Sequence, residues 1–229
     1  MKTQIFSFWF GDHQMPHNRE LCYHQLKETL KNQNIEHVLI TPNNITQYIT
    51  KEPLHPAFPY LSTTHKSDYL RCYFTHHIGG GYTDIKQHEK PWQPAFDRLY
   101  YQPHIWFSGY REPDPVGIAP VKDKDLYDIL KFNYRDIIGT PNFICKPGTL
   151  FTKEWFSIVN EILYDKLPLL EKYPARHPRE GAQDGLDSNY PYPIEWTEIL
   201  GNIFHPLVYK YREHADYSCP QFSSSQYWR

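Results

Sequence analysis

Residues 5–40 read IFSFWFGDHQMPHNRELCYHQLKETLKNQNIEHVLI, and this stretch decides the fold class. Ile5 to Phe10 is a short unbroken aromatic and aliphatic run that ends at Gly11, the pattern of a buried strand. Asn18 to Gln33 then reads as a helix, with Leu21, Leu26 and Leu30 as an imperfect apolar stripe. His37-Val38-Leu39-Ile40 is a second short strand, closed by Thr41-Pro42-Asn43-Asn44. A strand, a helix and a strand in that order predict a parallel sheet with crossover helices.

Outward from this start the same alternation continues. Ser62 to His77 is predicted as a helix, with Ser62, Thr63 or Thr64 able to cap it and Leu70 and Phe74 on one face pointing to the core. Gly79-Gly80-Gly81 stops it, and Tyr82 to Lys86 follows as a strand that ends in polar residues. His104 to Ser108 and Asn142 to Cys145 read as strands, and Phe151 to Tyr164 and Trp196 to Phe204 as helices. Tyr173 to Tyr192 is rich in Pro, Gly and charge without periodicity, and is expected to be a long mobile loop. There is no internal repeat, and 229 residues suit one domain with one sizeable core.

Composition narrows the function classes. Charged residues make up 22% and the formal net charge is -2, so no basic excess exists to neutralise the phosphates of a nucleic acid. Aromatic residues make up 17%, and their flat faces suit bases and sugars as well as a core. No run of roughly eighteen apolar residues exists to span a membrane. The N-terminus enters a strand without a basic region and long apolar stretch, so no secretory signal is expected. Cys22, Cys72, Cys145 and Cys219 are scattered without zinc or disulfide spacing and read as reduced thiols. Together these features predict a cytoplasmic protein, with contact at the inner membrane face left open.

The segment that carries chemistry is Lys66-Ser67-Asp68-Tyr69-Leu70-Arg71, then Gly79-Gly80-Gly81-Tyr82-Thr83-Asp84-Ile85-Lys86. A sugar-diphosphate site needs acceptors for hydroxyls, positive charge for the diphosphate, and backbone able to approach the ligand. Asp68 and Arg71, three apart, share one helix face. The glycines allow close approach and unusual dihedrals. Asp84 falls at the carboxyl end of a strand, where ligands of open α/β sheets bind.

This segment resembles the sugar-binding region of family 32 glycosyltransferases and of related capsular polysaccharide synthesis proteins. Their pattern is Ser-Asp-x-x-Arg, a helical stretch, Gly-Gly, then an aromatic residue and Asp-x-Asp. Ser67, Asp68 and Arg71 match its first part, and Gly80, Gly81, Tyr82 and Asp84 its second. Ser7-Phe8-Trp9-Phe10-Gly11 is similar to the family's opening strand, and Tyr192 to Gly201 more loosely to C-terminal segments of capsule-type members. The resemblance implies a GT-A type nucleotide-diphospho-sugar transferase fold, α/β with a central mixed sheet flanked by helices. It implies a nucleotide-sugar binding half over 1–110 and an acceptor half over 111–229. It implies Trp9 beside the base and transfer of a sugar from a nucleotide-diphosphate donor to a saccharide or glycolipid acceptor, with retention favoured, in bacterial surface polysaccharide synthesis.

One departure matters. The family's second aspartate, its direct metal ligand, is Lys86 here, and an ammonium repels a divalent cation. Three readings stay open. Lys86 itself neutralises the diphosphate, with weak dependence on Mn or Mg; activity is lost; or Gln87, His88 or Glu89 supplies a ligand. Adjacent His76 and His77 point in different directions on a helix and do not suit one shared ion. Asp184 and Glu198 are candidate bases, Asp184 as readily a solubilising loop residue and Glu198 a helix N-terminal carboxylate. Asn142 opens a strand that could border the sugar. Ser223 to Arg229 reads as a frayed tail or a flap. A nucleotide-sugar hydrolase and a non-catalytic binding module remain as alternatives.

Overall fold

β1 (Gln4–Phe8) and β2 (Glu36–Ile40) pair in parallel, Gln4 opposite Glu36 and Phe8 opposite Ile40, with α1 (His17–Lys31) as the crossover between them. The computed structural model describes residues 3–11, 14–88, 90–182 and 189–222. β1 also pairs in parallel with β3 (Gly80–Thr83), so the carboxyl ends of β2, β1 and β3 lie along one edge. The remaining strands are β4 (Phe107–Arg111), β5 (Ile138–Cys145) and β6 (Ala215–Asp216). β5 is antiparallel to both β3 and β4, and β6 runs parallel to β4, giving the order β2-β1-β3-β5-β4-β6. The expected α/β architecture, a central mixed sheet flanked by helices, is the one observed.

Side chains alternate across the sheet, as a period of two requires. Ile5, Leu26, Leu30, Trp92, Phe96 and Ile144 form the core beneath α1 and α3 (Gln93–Tyr101). Phe6, Tyr82, Phe143 and Phe107 face the other way, onto α2 (Thr63–His77), α5 (Leu150–Lys172) and α6 (Gly201–Lys210), with Trp155 and Phe204 at the centre of that layer. α4 (Lys124–Phe132) packs on α6. All four cysteines are buried and none is in a disulfide.

α2 positions the site. Its cap is Ser62, whose Oγ accepts from the His65 N–H at 3.2 Å. Every residue from Asp68 to Thr75 is buried, because the helix is enclosed by the sheet and by α5. Phe74 meets Phe6 edge-on at 4.7 Å, as its predicted core-facing position requires.

Several boundaries differ from the sequence reading. The buried stripe of α1 is Cys22, Leu26 and Leu30; Leu21 is 44% exposed, one residue out of phase. Gly80 and Gly81 are strand residues, and β3 ends at Thr83, not Lys86. Their neighbours leave no space for side chains: a Cβ on Gly80 would lie 2.7 Å from the Gln4 carbonyl, and one on Gly81 2.6 Å from Ile144 Cγ2. Only Gly79 acts as the helix stop, with φ +74°. The predicted helix over 196–204 starts only at Gly201, Trp196 to Leu200 being turns. α3 and α4 were not anticipated at all. In the described parts of 173–192, Tyr190 Oη donates to the Pro174 carbonyl at 2.6 Å and the Arg176 guanidinium covers the Tyr190 ring. Tyr192 Oη meets His65 Nδ1 at 3.0 Å.

Candidate functional site

The centre of the site is Arg71. One guanidinium nitrogen lies 3.6 Å from Asp68 Oδ1 and 3.4 Å from Asp84 Oδ1, and the other donates to the Thr140 carbonyl at 3.2 Å. Its plane covers the Tyr82 ring at 4.1 Å. The helix spacing of Asp68 and Arg71 brings them together, and the Gly79 turn returns the chain so that Tyr82 and Asp84 meet them. Tyr82 Oη donates to Asp84 Oδ1 at 2.6 Å, and Phe8 stacks on Tyr82 from the neighbouring strand.

Electrostatics separate the two aspartates. Burial raises Asp68 to about 7, with Arg71 opposing and Asp84 adding to the rise. Burial alone would raise Asp84 as well, but Lys86, Arg71 and the Tyr82 hydroxyl outweigh it and hold its carboxyl at about 2. Burial opposes the charge of Arg71, yet Tyr82, Asp68 and Asp84 together raise its pKa.

Lys86 Nζ sits 2.8 Å from Asp84 Oδ2 and 4.4 Å from the centre of the Phe222 ring. The resemblance implies a divalent cation at this place, and the residues present do not fit one. An ammonium holds one Asp84 oxygen, Tyr82 and Arg71 hold the other, and no group of three His, Cys, Asp or Glu among the described residues could hold an ion. His88 is turned away: its Nε2 pairs with Thr83 Oγ1 at 2.8 Å and its ring lies against Trp92. His76 stacks on Phe156 while His77 packs on Tyr73. Glu89 and Asp184 lie outside the described residues.

Asp68, Arg71 and Asp84 open into a cavity of about 340 Å³. Its lining also includes 116–120 and Trp196, Thr197, Leu200, Gly201 and His205. Asn142, by contrast, is fully buried opposite Thr83, with Nδ2 donating to the Pro220 carbonyl at 2.5 Å; it lies under the C-terminal segment, not on the cavity wall. Glu198 also misses the cavity lining. Its Oε2 accepts from Lys166 at 2.6 Å and from the Glu195 N–H at 2.9 Å, so it braces its own turn against α5. Gly80 and Gly81 approach sheet neighbours. Trp9 follows β1, one strand away from Asp84 on the same edge, with its N–H donating to the Ile40 carbonyl at 2.9 Å.

The sequence reading did not single out Glu112 or His205. Glu112 is 8% exposed at the end of β4, is raised to about 7 by burial, and is crowded against Gly117. His205 is one helical turn after Gly201, and that spacing was its only sequence signal.

No protein-family model matches the chain, and no curated protein matches it. A similar solved structure is titled PaToxG Glycosyltransferase. It is 12% identical, with a TM-score of 0.48, over 91% of this chain and 69% of that one. No helix among the described residues is long and apolar enough to cross a membrane.

Proposed function

We propose that the chain is a GT-A type glycosyltransferase that moves a sugar from a nucleotide-diphosphate donor to a hydroxyl of a saccharide or glycolipid, in bacterial surface polysaccharide synthesis. The observation that carries this reading is Arg71 held between Asp68 and Asp84 on the wall of a sugar-sized cavity. In this reading Asp68 and Arg71 hold the sugar, Trp9 lies against the base, and Lys86 faces the diphosphate. A positioned ammonium stabilises the charge that grows on the leaving diphosphate as the glycosidic bond breaks. Turnover therefore depends weakly on Mn or Mg.

Thermal stabilisation across a panel of nucleotide sugars identifies the donor, since a ligand that binds only the folded state raises the melting temperature. Asp68→Ala then costs more affinity for the nucleotide sugar than for the bare nucleotide, because a site built for hydroxyls loses its partner. Equal losses would remove Asp68 from the sugar. Lys86→Ala lowers turnover more than donor affinity, and a chelator leaves wild-type turnover nearly intact. Activity abolished by chelator and restored by Mn would overturn the role of Lys86. A binding module without turnover is the second reading, favoured by the full engagement of both Asp84 oxygens. Absence of sugar release to water or to any acceptor, with donor binding intact, would select it.

A further inference from the structure

Burial leaves several side-chain nitrogens without a hydrogen-bond partner among the described residues, including those of His37, His55, His88, Trp92, Trp155 and His205 and the Nε of Arg71. Of these residues only Arg71 and His205 line the cavity. We propose that the Nε2–H of His205 donates to a hydroxyl oxygen of the sugar held in that cavity, making His205 a specificity-determining residue in addition to Asp68 and Arg71. This rests on the proposed transferase reading for the identity of the occupant.

The tautomer follows from a hydrogen bond. His205 Nδ1 accepts from the Ala119 N–H at 3.1 Å. A neutral imidazole that accepts at Nδ1 carries its proton on Nε2. Burial lowers the ring to about 4, so it is neutral at pH 7 and works as a donor there, not as a base. His205 is 2% exposed and its Nε2 meets no acceptor among the described residues. A buried N–H without a partner is a free-energy cost that a ligand oxygen removes. The lining near it is otherwise mostly apolar: Ile118, Ala119, Pro120, Leu200 and Gly201 line the cavity, and the hydroxyl of Thr197, the polar side chain among them, already donates to Asn202 Oδ1 at 2.6 Å. A single fixed donor among apolar neighbours orients a polyhydroxylated ligand.

Two substitutions separate a ligand contact from a structural brace. His205→Asn places an amide oxygen where Nδ1 was, keeping the Ala119 bond and losing the donor. His205→Gln reaches the Nε2 position with an amide N–H and loses the brace. Calorimetry with UDP, UDP-glucose, UDP-N-acetylglucosamine, UDP-galactose, GDP and GDP-mannose gives the ratio by which the sugar improves nucleotide affinity. His205→Asn should lower that ratio roughly 5- to 20-fold at an unchanged melting temperature. His205→Gln should keep most of the ratio while melting earlier. Deoxy analogues of the best sugar add a wild-type test: one of them should bind weaker by a similar factor, and that difference should vanish in His205→Asn. A ratio unchanged in His205→Asn, a ratio lost equally in both variants, or no sensitive deoxy position would overturn the proposal while leaving the transferase reading standing. Failure of the wild type to bind any nucleotide sugar would overturn that reading, and this inference with it.

Discussion

The two walls of the cavity differ in kind. One is ionic: Asp68, Arg71 and Asp84 stand in one network, extended by Tyr82 and Lys86. The other is built mostly from backbone and apolar surface, with Thr197 and a neutral histidine as its polar side chains. The ionic wall is held by mutual compensation, so removing one member strands the others. The apolar wall is held by close contact, so adding atoms is what damages it. The ionic wall therefore fails by deletion and the apolar wall by insertion.

The largest effect is expected for Arg71→Met. It leaves Asp68 and Asp84 facing each other without their shared cation, and removes the donor to the Thr140 carbonyl. Breaking a buried ion pair by removing one partner costs about 3–5 kcal/mol. Urea unfolding measures it, and adding Asp68→Asn should recover part of the loss. A loss below about 1 kcal/mol, the range of exposed ion pairs, would mean that the wall is solvated.

Second in size is a pH effect confined to the ionic side and to Glu112. Asp68 and Glu112 are both held at about 7, above their ordinary values of 3.8 and 4.5. A carboxyl with a raised folded-state pKa contributes stability that is complete below its unfolded pKa and lost as pH rises through its folded pKa. Asp84, at about 2, is the reverse: its contribution is present above 3.8 and lost only as pH falls toward 2. The buried histidines oppose the first trend. His37, His65, His88 and His205 are lowered to about 4 by burial, so they cost stability as pH falls below 6.5. The clean readout is thus a difference between proteins. The melting temperature of Asp68→Asn, and separately of Glu112→Gln, should rise relative to wild type from pH 5 to pH 8. A difference flat across that range would show that the carboxyl ionises freely.

The same contrast explains what was legible in the sequence. Asp68 and Arg71 fall on one helix, Tyr82 on the strand that follows it after a glycine turn, and Asp84 just past that strand's end, so local spacing is enough to group them. The apolar wall joins two distant segments, and Ala119 meets His205 across 86 residues. No periodicity records such a meeting, and none records the pairing of Glu198 with Lys166 across 32 residues. The burial of Asn142 leaves no local signal either, because the chain that covers it, at Pro220, is remote in sequence. Glycine's poor strand propensity hid the start of β3, since only the neighbours Gln4 and Ile144 reveal why no side chain fits there. The parallel β1–α1–β2 opening was read correctly because it is a local unit.

The smallest of these effects is expected for Gly201→Ala, which tests the apolar wall by insertion. Gly201 begins α6 where the helix meets the loop before α4, and an added Cβ would lie 2.5 Å from Ala119 Cβ. No rotamer can relieve that contact, because both atoms are fixed to backbone. The start of α6 and residue 119 must therefore separate. Overpacking of this kind costs about 1–3 kcal/mol. Helix propensity works in the other direction, alanine being better than glycine by about 1 kcal/mol in a helix interior, though less at a first turn. A net loss near the lower end of the range is expected in urea unfolding. The separation should also stretch the Ala119 to His205 bond one turn along, so the sugar-dependent part of donor affinity should weaken while affinity for the bare nucleotide holds. Adding Ala119→Gly removes the opposing methyl, and should restore both stability and the sugar contribution. Rescue of stability without rescue of the sugar contribution would separate the packing of the wall from the orientation of His205. No loss at all in Gly201→Ala would mean that the two segments are not in contact, and the cavity would then have one wall instead of two.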